Sequence, residues 1–348
     1  TGCTRCGACM MGCRVGAKNT LLKNYLWLAE RRGAQIIADS QVAEIRPLGE
    51  GTGRDGFRVR AHRSGAWFGG AVRTLTARGV VVAAGALGTN RLLAKCKLDG
   101  ALPRLSDRLG ELVRTNSEAI HAVRTSDSAL NPWNDVAISA SIHPSEDTHI
   151  ELVTFGRNAD AVSGLLMPLT GDATGVRAIG ALLGALLLHP IRTLRALWPV
   201  GWSRQSFFVL AMQTVDNAIR LRARRGVSGG VRLTSEVDAA RPLAARIPIA
   251  RAMTSWLAKR TGGVAQTGAL EVLLGIPTTA HLLGGAVIGG DASAGVIDAQ
   301  QRVFGYENLL VCDGAAVPAN PGVNPALTIT AMAERAMTFV PAADQSEH

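Results

Sequence analysis

Apolar runs separated by glycine-bearing or polar stretches organise this chain. Arg78-Gly79-Val80-Val81-Val82-Ala83-Ala84-Gly85-Ala86-Leu87-Gly88-Thr89 has a polar start and a β-branched middle. That pattern predicts a buried strand, then a small-residue turn into a helix beginning near Asn90. Asn308-Leu309-Leu310-Val311-Cys312-Asp313-Gly314 is a second short apolar run, closed by an acid and a glycine, and predicts a buried strand with a tight exit. After Gly322-Val323, Asn324-Pro325 opens a stretch that stays small and apolar until Glu334 and Arg335, which predicts a buried helix. A polar hairpin is expected near Gly49–Gly56.

The middle of the chain carries the longest apolar pattern, from Gly175 to Trp202. Its uninterrupted part, 178–188, is shorter than the roughly 20 residues a bilayer span needs. Pro190 breaks it. Arg192, Arg195, Trp198 and Trp202 give the second half a basic and aromatic character suited to a membrane surface. Two expectations stand together here: a hydrophobic lid or docking element through which an apolar substrate enters, and a pair of core helices.

Candidate chemistry gathers near the C-terminus. Asp313 closes a strand, and in doubly wound sheets ligands bind beyond the carboxyl ends of strands. The bare residues also allow a strand-end turn in which Asp313 serves local backbone donors. A helix opened at Asn324-Pro325 presents a partly positive N-terminus that attracts anions, while Asn324 caps it. His281, in Thr279-Ala280-His281-Leu282-Leu283-Gly284-Gly285, has an imidazole suited to accepting a hydroxyl proton. Gly284 and Gly285 allow close backbone approach.

The order and spacing of these pieces resemble the C-terminal segment of the glucose–methanol–choline (GMC) oxidoreductases, most closely their cholesterol oxidase branch. The resemblance implies an FAD enzyme that oxidises a secondary alcohol, a 3β-hydroxysteroid such as cholesterol, by hydride transfer. It implies His281 as base and Asn324 beside flavin and substrate hydroxyl. It further implies Asp313 and Gly314 on the ribityl–pyrophosphate part of FAD, with Gly85, Gly285 and Pro325 against the cofactor. Asn116, in Arg114-Thr115-Asn116-Ser117-Glu118, falls where relatives bring an Asn toward the flavin. Gly16-Ala17-Lys18-Asn19-Thr20-Leu21-Leu22-Lys23-Asn24-Tyr25-Leu26 resembles the family segment that precedes the hairpin region. Two departures are visible. Leu282 stands where relatives often have proline, and no Glu occurs at Arg204-Gln205-Ser206, where the isomerising glutamate of cholesterol oxidases is expected. Oxidation without efficient isomerisation is therefore expected. The opening Gly-x-Gly-x-x-Gly unit of such enzymes is not found, so the first βαβ unit is expected to be missing from an N-terminally truncated sequence.

Cys3, Cys6, Cys9 and Cys13 repeat the spacing of a bacterial ferredoxin run. Arg14 replaces the proline that usually follows, and there is no second cysteine-rich run. Metal-free thiols are the expectation, with an iron–sulfur electron-transfer module or an inactive flavoprotein fragment as alternatives. Unpaired thiols fit a reducing compartment, hence a cytoplasmic or peripheral membrane location.

With 348 residues, 47% of them hydrophobic, two domains are expected. The class is α/β: a partial Rossmann-like FAD-binding domain plus an α+β substrate domain built on a mixed sheet. The expected division is 1–115 (FAD-binding), 116–277 (substrate-binding) and 278–348 (return to the FAD-binding domain, ending in a helix and a polar tail). The net charge of +10 is scattered, and no nucleic-acid-binding motif accompanies it. Peripheral contact with an anionic membrane is the better expectation.

Overall fold

The computed structural model describes residues 2–65, 71–127, 129–169, 171, 173–226, 230–244 and 246–342. The polar tail expected after the last helix lies largely outside them. The chain divides into two compact units: residues 1–35, 117–213 and 244–280 in one, and 36–116, 214–243 and 281–348 in the other. This division departs from the expected one at two places. Residues 1–35 cluster with the unit expected to bind substrate, and 214–243 with the unit expected to bind FAD.

The first unit is built on a six-stranded sheet ordered Ile138–Ser145, Thr148–Val153, Ser206–Gln213, Ala119–Arg124, Val264–Gly268 and Leu166–Pro168. Every pairing is antiparallel, where a mixed sheet was expected. Ser206–Gln213 reads as a nearly continuous apolar run because both its faces are covered. Phe207, Val209 and Ala211 pack with Ala250 and Ala258 of the helix Pro248–Arg260. Phe208, Leu210 and Met212 pack with Trp202 and Val153 on the other face. Each large side chain so buried contributes about 1.5–3 kcal/mol.

Pro190 separates two helices as expected, Gly175–Leu188 and Pro190–Leu197. Trp202 does not join their surface. It is 1% exposed, and its indole N–H donates to Gln266 Oε1 at 2.9 Å, so its polar atom is satisfied inside the core. Among the described residues, no helix is long and apolar enough to cross a membrane.

The second unit contains a three-stranded antiparallel sheet, Ser40–Pro47, Phe57–Arg63 and Val72–Ala77, with the expected hairpin loop between its first two strands. A four-stranded sheet runs Val231–Val237, Ile219–Arg225, Glu111–Arg114, Leu283–Gly285. The two apolar runs of the sequence, Val80–Val82 and Leu309–Val311, pair in parallel. Leu93, Cys96, Leu309 and Val311 sit in one core with Ile45 and Phe57.

Three sequence expectations are corrected. The helix after Val80–Val82 begins at Gly85 rather than near Asn90, because glycine adopts the left-handed φ of 72° that turns the chain sharply out of the strand. The last helix spans Ala326–Met337 with Pro325, not Asn324, in the cap position and no side-chain cap bond there. That helix is also largely exposed. Ala336 is buried, whereas Leu327 is 81% exposed, since one narrow stripe of the helix meets the core.

Candidate active site

Asp313 follows the strand Leu309–Val311, and Gly85 opens a helix just beyond the strand Val80–Val82. Parallel pairing brings both to the carboxyl ends of the two strands. The Gly85 N–H donates to Asp313 Oδ2 at 2.9 Å, and the Thr89 hydroxyl donates to the same oxygen. The other oxygen, Oδ1, accepts from Ala315 N at 2.7 Å. Asp313 therefore serves the local turn, as the bare residues allowed, and also latches the helix start of a distant segment. Over Gly85 the structure is open: a Cβ built there would meet nothing within 4 Å. A glycine at a helix N-terminus, beyond parallel strand ends, stands where doubly wound sheets bind ligands.

Gly314 is where the C-terminal motifs converge. A Cβ at this position would lie 3.3 Å from Leu283 Cδ2, 3.5 Å from Leu282 O and 3.5 Å from Ile329 Cδ1. The segment after His281 and the helix after Asn324 thus close on the same glycine. Ala286 N donates to Ala315 O at 3.0 Å and adds a backbone tie. His281 and Asn324 are both half-buried.

The double glycine has a reason internal to the protein. At Gly284, φ is 75° and a Cβ would meet Leu112 O at 2.1 Å; at Gly285, φ is 90° and a Cβ would meet the Asn90 side-chain amide at 2.3 Å. Asn90 donates from Nδ2 to Gly284 O at 3.0 Å and to Ala86 O at 2.8 Å, binding the glycine strand to the helix Gly85–Leu98. The backbone directly before His281 is held by Glu118, whose Oε2 accepts from Thr279 Oγ1 at 2.9 Å and from Ala280 N at 2.5 Å.

Asn116 is fully buried, with φ of 58°, and its amide grips the loop leading to Asn324. Its Oδ1 accepts from Gly322 N at 2.9 Å and its Nδ2 donates to Val323 O at 3.0 Å. Its own N–H donates to Asn320 Oδ1 at 2.8 Å. Asn320 in turn donates to Asn217 Oδ1 at 2.9 Å, and Arg114 donates from Nε to Pro318 O at 2.9 Å and from Nη1 to Asn217 O at 2.8 Å. Arg114, Asn217, Asn320 and Asn90 were not legible as site residues. A clue existed only for Asn320, in the turn signature Asn320-Pro321-Gly322.

The four N-terminal cysteines are free and lie near the surface. Among the described residues, no group of three or more His, Cys, Asp or Glu side chains is placed to hold a metal ion. Cys13 Sγ accepts from Ala17 N at 3.2 Å and Lys18 N at 3.4 Å. Those backbone donors, Lys18 first, lower its pKa; the Ala8 backbone N–H does the same for Cys6.

Residues 1–109 and 224–333 match the N- and C-terminal family models of GMC oxidoreductases. A cholesterol oxidase of Acinetobacter baumannii is 42% identical over 343 residues, covering 98% of this chain and 61% of that protein. A cholesterol oxidase of Mycobacterium tuberculosis (strain ATCC 25618 / H37Rv) is 45% identical over 350 residues, covering 98% and 59%. The chain thus spans about three fifths of the length of these curated relatives. Among solved structures, the fold is similar to pyridoxine 4-oxidase from Mesorbium loti, with a TM-score of 0.53 and 14% identity over 94% of this chain and 62% of that one. It is also similar to an FAD-dependent oxidoreductase from Chaetomium thermophilum, with a TM-score of 0.51 and 15% identity over 91% and 63%.

Proposed function

Because this chain belongs to the GMC oxidoreductase family, we propose that it forms part of an FAD-dependent enzyme that oxidises a secondary alcohol, a 3β-hydroxysteroid such as cholesterol. The observation that carries this reading is the closure of the His281, Asp313 and Asn324 segments around Gly314. The two cholesterol oxidases, at 42% and 45% identity, support the sterol as substrate.

In this reading Gly85, Asp313 and Gly314 hold the cofactor at the strand ends, with Gly285 and Pro325 bordering it. The flavin supplies the hydride acceptor. His281 takes the hydroxyl proton of the alcohol, a role suited to an imidazole near neutral pH. Asn324 orients the substrate oxygen, and Asn116 keeps the Asn324 loop in register. With no glutamate at Arg204-Gln205-Ser206, the product leaves without efficient isomerisation of its double bond.

The test is spectroscopic. The purified chain, incubated with FAD and freed of excess, should retain a flavin absorbance band that cholesterol bleaches under anaerobic conditions. Retention without bleaching would reject the sterol. A chain that keeps no flavin would be an inactive fragment on its own, and a brown, iron-containing preparation would favour electron transfer through the cysteine run.

A further inference from the structure

Ala181, Gly184, Ala185 and Leu188 recur at the spacing of one face of the helix Gly175–Leu188, and that face borders a cavity of about 540 Å³. The remaining apolar walls come from Val264 and Ala265 of the strand Val264–Gly268, from Ala258 of the helix Pro248–Arg260, and from Leu169 just past the edge strand Leu166–Pro168. Every lining residue belongs to the first unit. A Cβ built at Gly184 would meet nothing within 4 Å. The helix Pro190–Leu197 does not fill the space: its Ile191 and Leu194 turn outward, and it lends the lining Arg192 and Thr193. Protein interiors are otherwise close-packed, so a void of this size kept open by small side chains is room for a ligand.

The charge on the lining has one sign. Arg192 and Lys259 border the cavity, and no Asp or Glu does so among the described lining residues. Arg192 Nη2 donates to Gly263 O at 3.1 Å, while Gly263 N donates to Ala258 O at 2.7 Å. Those two bonds gather Arg192 and Lys259 where the helix Pro248–Arg260 ends. The Arg192 fork keeps further N–H donors beyond the one given to Gly263. The Thr193 hydroxyl, by contrast, already donates to Ala185 O at 3.0 Å. Apolar walls with two cations gathered at one place complement a ligand that has an apolar body and a single anionic head. The described lining has no Phe, Tyr or Trp to stack on a flat ring, which favours an aliphatic chain as that body.

We propose that this cavity binds a long-chain carboxylate, its chain against the Ala181–Leu188 face and its head held by Arg192 and Lys259. None of the lining residues belongs to the segments around Gly314, so the inference does not rest on the flavin reading.

The experiment is calorimetric titration of the 348-residue chain with dodecanoate, below its micelle concentration and without vesicles. Saturable binding is expected; its absence would overturn the proposal. Arg192→Gln/Lys259→Gln should weaken dodecanoate on the order of tenfold and leave dodecanol unchanged. Equal losses for acid and alcohol would deny the two cations a role in holding the head. The charge-matched control Arg58→Gln/Arg60→Gln should bind dodecanoate as the parent does, and a matching loss there would reduce the effect to net charge. Gly184→Phe places a ring in the open space and should abolish binding of both ligands; a folded variant that binds like the parent would reject the cavity. Should that variant fail to fold, photolabelling of the parent with a diazirine-bearing dodecanoate decides. Label is expected in the peptides that carry residues 181–193 and 255–265, and label confined to other peptides would overturn the assignment. Displacement of dodecanoate by dihexanoylphosphatidylglycerol at a lower concentration than by unlabelled fatty acid would give the cavity to a phospholipid and reject the proposal.

Discussion

The Gly85 amide and the Asp313 carboxylate, 228 positions apart in the chain, meet in a 2.9 Å hydrogen bond at the carboxyl ends of two parallel strands. That bond fixes where the helix Gly85–Leu98 starts, and with it the small-residue floor proposed for the cofactor. Asp313→Asn presents an amide N–H₂ to donors that need an acceptor. We expect a loss of roughly 2–3 kcal/mol in stability, read from thermal unfolding, together with weakened FAD retention.

Asn116 acts on Asn324 through the loop it holds. Asn116→Ala would leave Gly322 N–H and Val323 C=O without their partner and place alanine at a left-handed φ. Unfolding should shift by about 1–3 kcal/mol for each stranded group. In turnover assays kcat should fall with KM nearly unchanged, whereas a general structural defect would show only in the melting curve.

Glycine substitutions should separate by environment. Gly284→Ala meets Leu112 O at 2.1 Å with φ of 75°, so backbone must move and a loss above about 3 kcal/mol is expected in denaturant unfolding. Gly180→Ala, in the helix Gly175–Leu188 with nothing within 4 Å, should stabilise by about 0.5–1 kcal/mol.

The thiols should fall into two reactivity classes. Backbone donors lower the pKa of Cys6 and Cys13, so their thiolates persist to lower pH than an ordinary thiol allows. Burial, then the Asp313 charge, pushes Cys312 up to about 11, and burial raises Cys96. Iodoacetamide labelling followed by peptide mass analysis near neutral pH should mark Cys6 and Cys13 first, and Cys96 and Cys312 only after unfolding.

His281→Ala should reduce alcohol oxidation by roughly 10²–10⁴-fold, the contribution expected of a general base. Raising the pH should partly restore the variant, because more alkoxide is then present without help from the protein. A loss below tenfold in the steady-state rate would move the base role to another residue.

Much of the local structure around the candidate site was legible along the chain. The strands Val80–Val82 and Leu309–Val311, the break at Pro190 and the turn at Asp313-Gly314 follow from apolar run length, β-branching and the conformational limits of proline and glycine, which act over a few residues. The motif order from His281 to Pro325 was equally local. What could not be read was partnership: Asp313 with Gly85, Asn90 with Gly284, Asn116 with Gly322, and the outward turn of Ile191 and Leu194. These depend on which distant segments share a sheet edge or a core, and the hydrogen bond or contact that selects each side chain does not exist until that packing forms. The burial of Trp202 and the exposure of Leu327 have the same origin. Hydropathy states what a side chain prefers, and the surrounding tertiary structure decides whether that preference is met.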